Sequence, residues 1–113
     1  MLFRSPALVN SGLPLNSFCF EGFLPLKKGR LTKLKQLAAE PRTMVVYESP
    51  VRLVKTLNDL IQHMGPERPC CVSRELSKKF EENFRGSLKQ AHDHFAAKTV
   101  KGEIVIVLGG KEE

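Results

Sequence analysis

The feature that most limits how this chain can fold is a stripe of apolar residues, Leu53, Val54, Leu57, Leu60, Ile61 and Met64, closed by Gly65 and Pro66. Side chains at this three-and-four spacing share one face of an α-helix, which must be buried against another apolar surface. The flanking segments supply that surface. Thr43 to Glu48 places Met44, Val45 and Val46 in succession, the pattern of a strand covered on both faces. Ser49 then stands where a cap is needed and Pro50 at the first helical position, where a missing amide hydrogen costs least.

The same alternation continues in both directions. Phe18 to Phe23 is a short aromatic-rich strand, and Pro25 turns the chain toward Lys27, Lys28 and Arg30. From about Gly29 to Glu40, Leu31, Leu34, Leu37 and Ala38 recur at helical spacing until Pro41 stops them. Cys70 to Arg74 reads as a further strand. The polar stretch from Ser77 to Asn83 reads either as a loop or as an irregular hairpin crossing. Ser87 and Gln90 have the spacing of a capping box, opening a helix that runs to about Lys98, and Glu103 to Leu108 is a last apolar strand. The expected fold is α/β, a mixed and mainly parallel sheet of about five strands flanked by three helices. Pro6 to Ser11 suggests one or two turns of helix before Gly12 and Pro14, too short to be stable unless docked.

Composition narrows the function classes. With 42% hydrophobic and 27% charged residues the chain has the balance of a globular domain, far from that of disorder. Its longest apolar run, Ile104 to Leu108, falls well short of the roughly 20 residues of a membrane-spanning helix. The interrupted N-terminal segment does not read as a secretory signal. Three cysteines, two of them adjacent (Cys70, Cys71), do not make a disulfide framework, which fits a reducing, cytoplasmic setting. No spacing suggests a metal site, and His63, His92 and His94 read as surface residues of helices. Eighteen Lys and Arg against twelve Asp and Glu leave +6, a balance that favours an anionic partner without naming one.

Ligands of such sheets bind beyond the carboxyl ends of strands, which directs attention to four clusters. They are Gly22 to Pro25 with the lysines beyond, Tyr47-Glu48-Ser49-Pro50 with Arg52, Arg74-Glu75 with Lys78, and Arg85-Gly86-Ser87. Glu48 either stabilises a helix start or serves a ligand. Arg52, a positive charge in the first turn of a helix, either pairs with Glu48 or awaits an external anion. Arg74 and Glu75, at a strand end, either form structural ion pairs or act in a site.

Taken in order, Phe20-Glu21-Gly22-Phe23-Leu24-Pro25, Arg42-Thr43, Tyr47-Glu48-Ser49-Pro50, Arg52-Leu53, Arg74-Glu75-Leu76, Arg85-Gly86 and Lys101-Gly102-Glu103-Ile104-Val105 resemble the small-subunit ribosomal RNA methyltransferase I family of the tetrapyrrole methylase superfamily, from about Leu8 to Gly110. The resemblance is to the C-terminal portion of that family, so residues 15–113 are expected to be a C-terminal methyltransferase domain and residues 1–14 the remnant of a helix linking it to an N-terminal domain. It implies an intact enzyme that moves a methyl group from S-adenosylmethionine to a ribose 2′-hydroxyl of a cytidine, with this portion inactive alone. It implies Glu48 and Glu75 as carboxylate candidates for the base, and cofactor contacts at Tyr47, Glu48, Arg85, Gly86, Ser87, Gly102, Glu103 and Ile104. Candidates for RNA phosphate contacts are Lys27, Lys28, Arg30, Arg52, Arg74 and Lys78. Partners implied are ribosomal RNA or the small ribosomal subunit and a second copy in a homodimer, with no membrane.

One position departs from the family pattern: Val51 stands where histidine is usual between the proline and arginine of the Tyr-Glu-Ser-Pro segment. A divergent methylase acting on another substrate, and a non-catalytic basic RNA-binding or dimerisation domain, are the competing expectations.

Overall fold

In the computed structural model, residues 18–77 and 80–111 are described. The chain runs through β1 (Phe18–Phe23), α1 (Arg30–Ala39), β2 (Thr43–Glu48), a single 3₁₀ turn (Pro50–Arg52), α2 (Leu53–Met64), β3 (Pro69–Ser77), β4 (Phe80–Ser87), α3 (Leu88–Ala96) and β5 (Glu103–Leu108). The expected linker helix in residues 1–14 and the candidate Lys78 lie outside the described residues.

The five strands form one sheet in the order β1-β2-β5-β3-β4. β1 and β2 are parallel, while β5 is antiparallel to both its neighbours, β2 and β3, and β3 to β4. The sheet is mixed, as expected. Among the described residues three strands run one way, but only one hydrogen-bonded pair is parallel, because β5 inserts between β2 and β3. The polar stretch around residue 83 belongs to the β3–β4 hairpin, whose register slips between Glu75 and Ser77.

Alternation along the strands divides the core. Met44, Val46, Cys70, Val72, Ile104, Ile106 and Leu108 share a cluster with Leu34 and Leu37 of α1, Leu53, Leu57 and Leu60 of α2, and Leu88, Ala91 and Phe95 of α3. Their intervening neighbours Val45, Cys71, Val105 and Val107 form a smaller cluster with Tyr47 on the other face. Each leucine of the α2 stripe is fully buried, and such burial stabilises by about 1.5–3 kcal/mol per side chain. The adjacent cysteines are ordinary strand residues, buried and not in a disulfide, and burial pushes the Cys70 thiol up to about 12.

Element ends follow local chemistry with one exception. Ser87 accepts from the Gln90 amide (3.2 Å) while the Gln90 side chain accepts from the Ser87 amide (2.9 Å), completing the expected capping box of α3. At α2 the expected Ser49 cap does not form, since the Ser49 hydroxyl makes no cap bond. The Glu48 carboxylate accepts from the Ser49 amide instead (2.7 Å), and Pro50–Arg52 form a 3₁₀ turn before the α-helix begins at Leu53. Arg68 stitches the far end of the sheet, donating to the Gly109 carbonyl and to the Ala38 carbonyl in the last turn of α1 (3.1 Å each).

Candidate functional site

Because β1 and β2 are parallel, their carboxyl ends lie at the same edge of the sheet, and β5, running the opposite way, brings its amino end there. A cavity of about 370 Å³ opens between them. Its wall is Tyr47 and Glu48 at the end of β2, Ser49 and Pro50 in the turn, Gly102 to Val105 at the start of β5, and Phe23 at the end of β1. The volume is in the range of small-molecule sites, and the lining is mainly apolar with a few polar groups, as such sites require.

Glu48 is buried, and both its oxygens are engaged. Oε2 accepts from the Thr56 hydroxyl at 2.5 Å, and Oε1 accepts from the Ser49 amide and faces Arg52 Nε at 3.7 Å. The Thr56 oxygen in turn accepts from Arg30 Nη2 (3.1 Å). Arg30 also donates to Asp59 Oδ2 through Nε (3.1 Å) and Nη2 (2.9 Å), and to the Pro25 carbonyl through Nη1 (3.0 Å). One buried polar chain thus runs from α2 through α1 to the cavity wall. Beside it, the Tyr47 hydroxyl, the Ser49 hydroxyl and Arg52 Nε, the last ion-paired with Glu48, are buried polar atoms without a hydrogen-bond partner among the described residues. Such atoms are uncommon because leaving them unmet costs about 1–3 kcal/mol each.

Of the expected cofactor residues, Tyr47, Glu48, Gly102, Glu103 and Ile104 are brought together on this wall. Arg85, Gly86 and Ser87 are not. β4 runs antiparallel to β3, so its carboxyl end is at the opposite edge: Gly86 pairs with Cys70, Cys70 with Leu108, and Leu108 with Met44 at the start of β2. There Ser87 caps α3, and Gly86 leaves room for the Gln90 side chain, whose oxygen would lie 2.5 Å from a β-carbon at that position.

The basic candidates divide in the same manner. Lys27 and Lys28 are exposed in the loop after β1. Arg30 is buried and committed to Asp59, which removes it from a phosphate-contacting role. Arg74 is held by Glu82 at 2.5 Å with its side chain 11% exposed, the structural ion-pair alternative. Arg52 is half-buried beside Glu48. The backbone of Glu75 pairs with Glu103 of the cavity wall. His94, expected on the surface, is half-buried, stacked on Phe84 and paired with Glu82.

Phe23, in the strand-end cluster Gly22 to Pro25 but not among the expected cofactor contacts, lines the cavity. In a regular strand Phe20 and Phe23 would face opposite sides, but the β1–β2 register shifts between Phe20 and Gly22. Phe20 therefore lies opposite Val45 and Phe23 opposite Tyr47, and both rings meet the Tyr47 ring edge-on, at 5.2 and 5.6 Å.

An α/β domain with a cavity beyond its strand ends is a common ligand-binding architecture. A family profile described as Tetrapyrrole (Corrin/Porphyrin) Methylases matches residues 5–92, and the chain belongs to that family. Among curated relatives, the ribosomal RNA small subunit methyltransferase I of Mesorhizobium japonicum is 48% identical over 108 residues, covering 94% of this chain and 37% of that protein. The protein of the same name from Thermotoga maritima is 45% identical over 106 residues, covering 94% and 47%. The chain thus spans less than half the length of these relatives. The fold is also that of cobalt precorrin-4 methyltransferase (TM-score 0.67, 17% identity, 96% of this chain and 48% of that one). It matches the uroporphyrin-III C-methyl transferase of Thermus thermophilus, solved with S-adenosyl homocysteine, at TM-score 0.59 and 23% identity over 91% of this chain and 48% of that one.

Proposed function

We propose that the chain is the C-terminal domain of an S-adenosylmethionine-dependent methyltransferase acting on small-subunit ribosomal RNA, with the ribose 2′-hydroxyl of a cytidine as acceptor. The observation that carries the reading is the cavity at the ends of β2 and β5, lined by Tyr47 and Ser49, whose hydroxyls have no hydrogen-bond partner among the described residues. This donor set fits a cofactor with both an apolar ring system and polar substituents: Tyr47, Pro50, Ile104 and Val105 offer apolar surface, and the Tyr47 and Ser49 hydroxyls offer hydrogen bonds. When bound, S-adenosylmethionine supplies an electrophilic methyl group. The chain's own residues exclude water and fix orientation, which matters most where the nucleophile is a weak one such as a ribose hydroxyl.

Glu48, with both oxygens already accepting hydrogen bonds, holds the turn rather than removing a proton. Glu75 remains the proposed carboxylate for that step. The names of the relatives support the ribosomal RNA substrate, and a cytoplasmic location and a homodimer belong to the same reading. No helix among the described residues is long and apolar enough to cross a membrane. By itself the chain is expected to bind cofactor weakly and transfer nothing.

Titration calorimetry with S-adenosylhomocysteine tests the cavity: Tyr47→Phe and Ser49→Ala are expected to weaken binding, and unaltered binding in both would remove the cavity from the cofactor site. A chimera carrying residues 18–111 in place of the matching segment of the Thermotoga maritima relative tests the reaction. Labelled methyl recovered as 2′-O-methylcytidine from small-subunit RNA is expected, with loss in Glu75→Gln. Val51, 93% exposed beside Pro50 where the resemblance leads one to expect histidine, favours a second reading in which the acceptor differs. The same nucleoside analysis distinguishes the two.

A further inference from the structure

We propose that the aromatic group Phe20, Tyr47 and Phe23, together with Lys27 and Lys28, is a docking surface for single-stranded RNA on which Phe23 stacks a base. This rests on reading the cavity as part of an RNA methyltransferase. Four observations carry it. The register shift in β1 turns Phe23 onto the same side as Phe20, and the left-handed conformation of Gly22 (φ 66°) belongs to that distortion. Phe23 is 68% exposed although its ring meets Tyr47 edge-on, so the ring is fixed at one contact and still open to a base. It also lines the cavity, which puts a stacked base beside the cofactor wall.

The fourth observation is charge. Lys27 and Lys28, four and five residues beyond Phe23, make no ion pair among the described residues, while Lys33 is held by Glu21 and Arg42 by Glu40. Their loop is pinned by Arg30, whose guanidinium takes the Pro25 carbonyl (3.0 Å) and whose amide donates to the Lys27 carbonyl (3.1 Å). Two available cations on a pinned loop beside an exposed ring are the combination that holds a single strand, the cations following phosphates and the ring taking a base of any identity. Leu26, 64% exposed in the same loop, is the feature a protein partner would use. Protein interfaces, however, are depleted in lysine, and the chain's +6 charge favours the polyanion.

The test is fluorescence anisotropy of a short labelled single-stranded RNA with the full chain at several salt concentrations. Phe23→Ala is expected to weaken binding about tenfold with an unchanged salt slope, and Phe23→Trp to preserve it. Lys27→Ala with Lys28→Ala is expected to reduce the slope of log affinity against log salt by about 0.7 per lysine. Unchanged thermal midpoints establish that each variant folds. If the parent chain binds RNA and Phe23→Ala binds as tightly, the stacking role is wrong and the RNA reading survives. No binding by the parent chain at low salt overturns both. A dimer in sedimentation that Phe23→Ala dissociates while RNA affinity is untouched assigns the surface to a second copy and overturns the proposal.

Discussion

At the scale of single residues, hydrogen-bonding capacity decides roles that residue type leaves open. Thr56 is fully buried in α2, donates to Glu48 and accepts from Arg30, so its hydroxyl joins two charged groups. Thr56→Val keeps the shape and removes both bonds; a loss of about 1–3 kcal/mol in urea denaturation is expected, largely restored by Thr56→Ser. Glu82 gives a pH signature. Burial raises its pKa, but hydrogen bonds from Lys98, Arg74 and His94 outweigh that effect and hold the carboxyl at about 2. A carboxylate depressed in the folded state stabilises above its unfolded pKa, and that contribution is lost as pH falls toward the folded value. The parent chain is therefore expected to lose stability between about pH 4.5 and 2 more steeply than Glu82→Gln, as measured by thermal midpoints across that range. Arg30 shows why such roles escape a sequence reading: its partner Asp59 is 29 positions away, and a lysine- and arginine-rich loop gives no sign of which cation turns inward.

At the scale of elements, local signals were legible and strand direction only in part, the hairpin around residue 83 being one of two alternatives. The Ser87–Gln90 box lies within one helical turn, so its spacing alone specifies it. The α2 stripe and the contiguous apolar strands were equally plain, since burial periodicity is a property of the segment itself. The direction of β4 depends on its pairing with β3, which is why Arg85, Gly86 and Ser87 looked like part of a strand-end site and stand at the other edge. The β1 irregularity likewise depends on a neighbour, so the sequence put Phe23 at a strand end without showing that it shares a face with Phe20. Gly22→Val places a branched side chain at φ 66° and is expected to cost about 1–2 kcal/mol. Tyr47 is the chain's one tyrosine and there is no tryptophan, so the same variant should alter the near-ultraviolet tyrosine dichroism. An unaltered signal would mean that the ring contacts do not depend on the bulge.

At the scale of the whole molecule, β5 is the last of the described strands in chain order and the middle strand of the sheet. It bonds to β2 on one side and β3 on the other, and without it the parallel β1–β2 pair and the β3–β4 hairpin share no strand contact. A chain ending before Glu103 is expected to lose cooperative thermal unfolding, and a sharp transition in that truncation would show that the helices alone unite the halves. The arrangement also bears on synthesis. Each half leaves the ribosome with an unpaired strand edge, β2 in one and β3 in the other, and both must wait for the segment that joins them. Pairing so distant in sequence is slow to form, and open edges invite pairing with other chains. The interval between the emergence of Thr43 and that of Leu108 is therefore the time during which a nascent chain depends most on protection, and slowing translation across it should increase aggregation more than slowing it elsewhere.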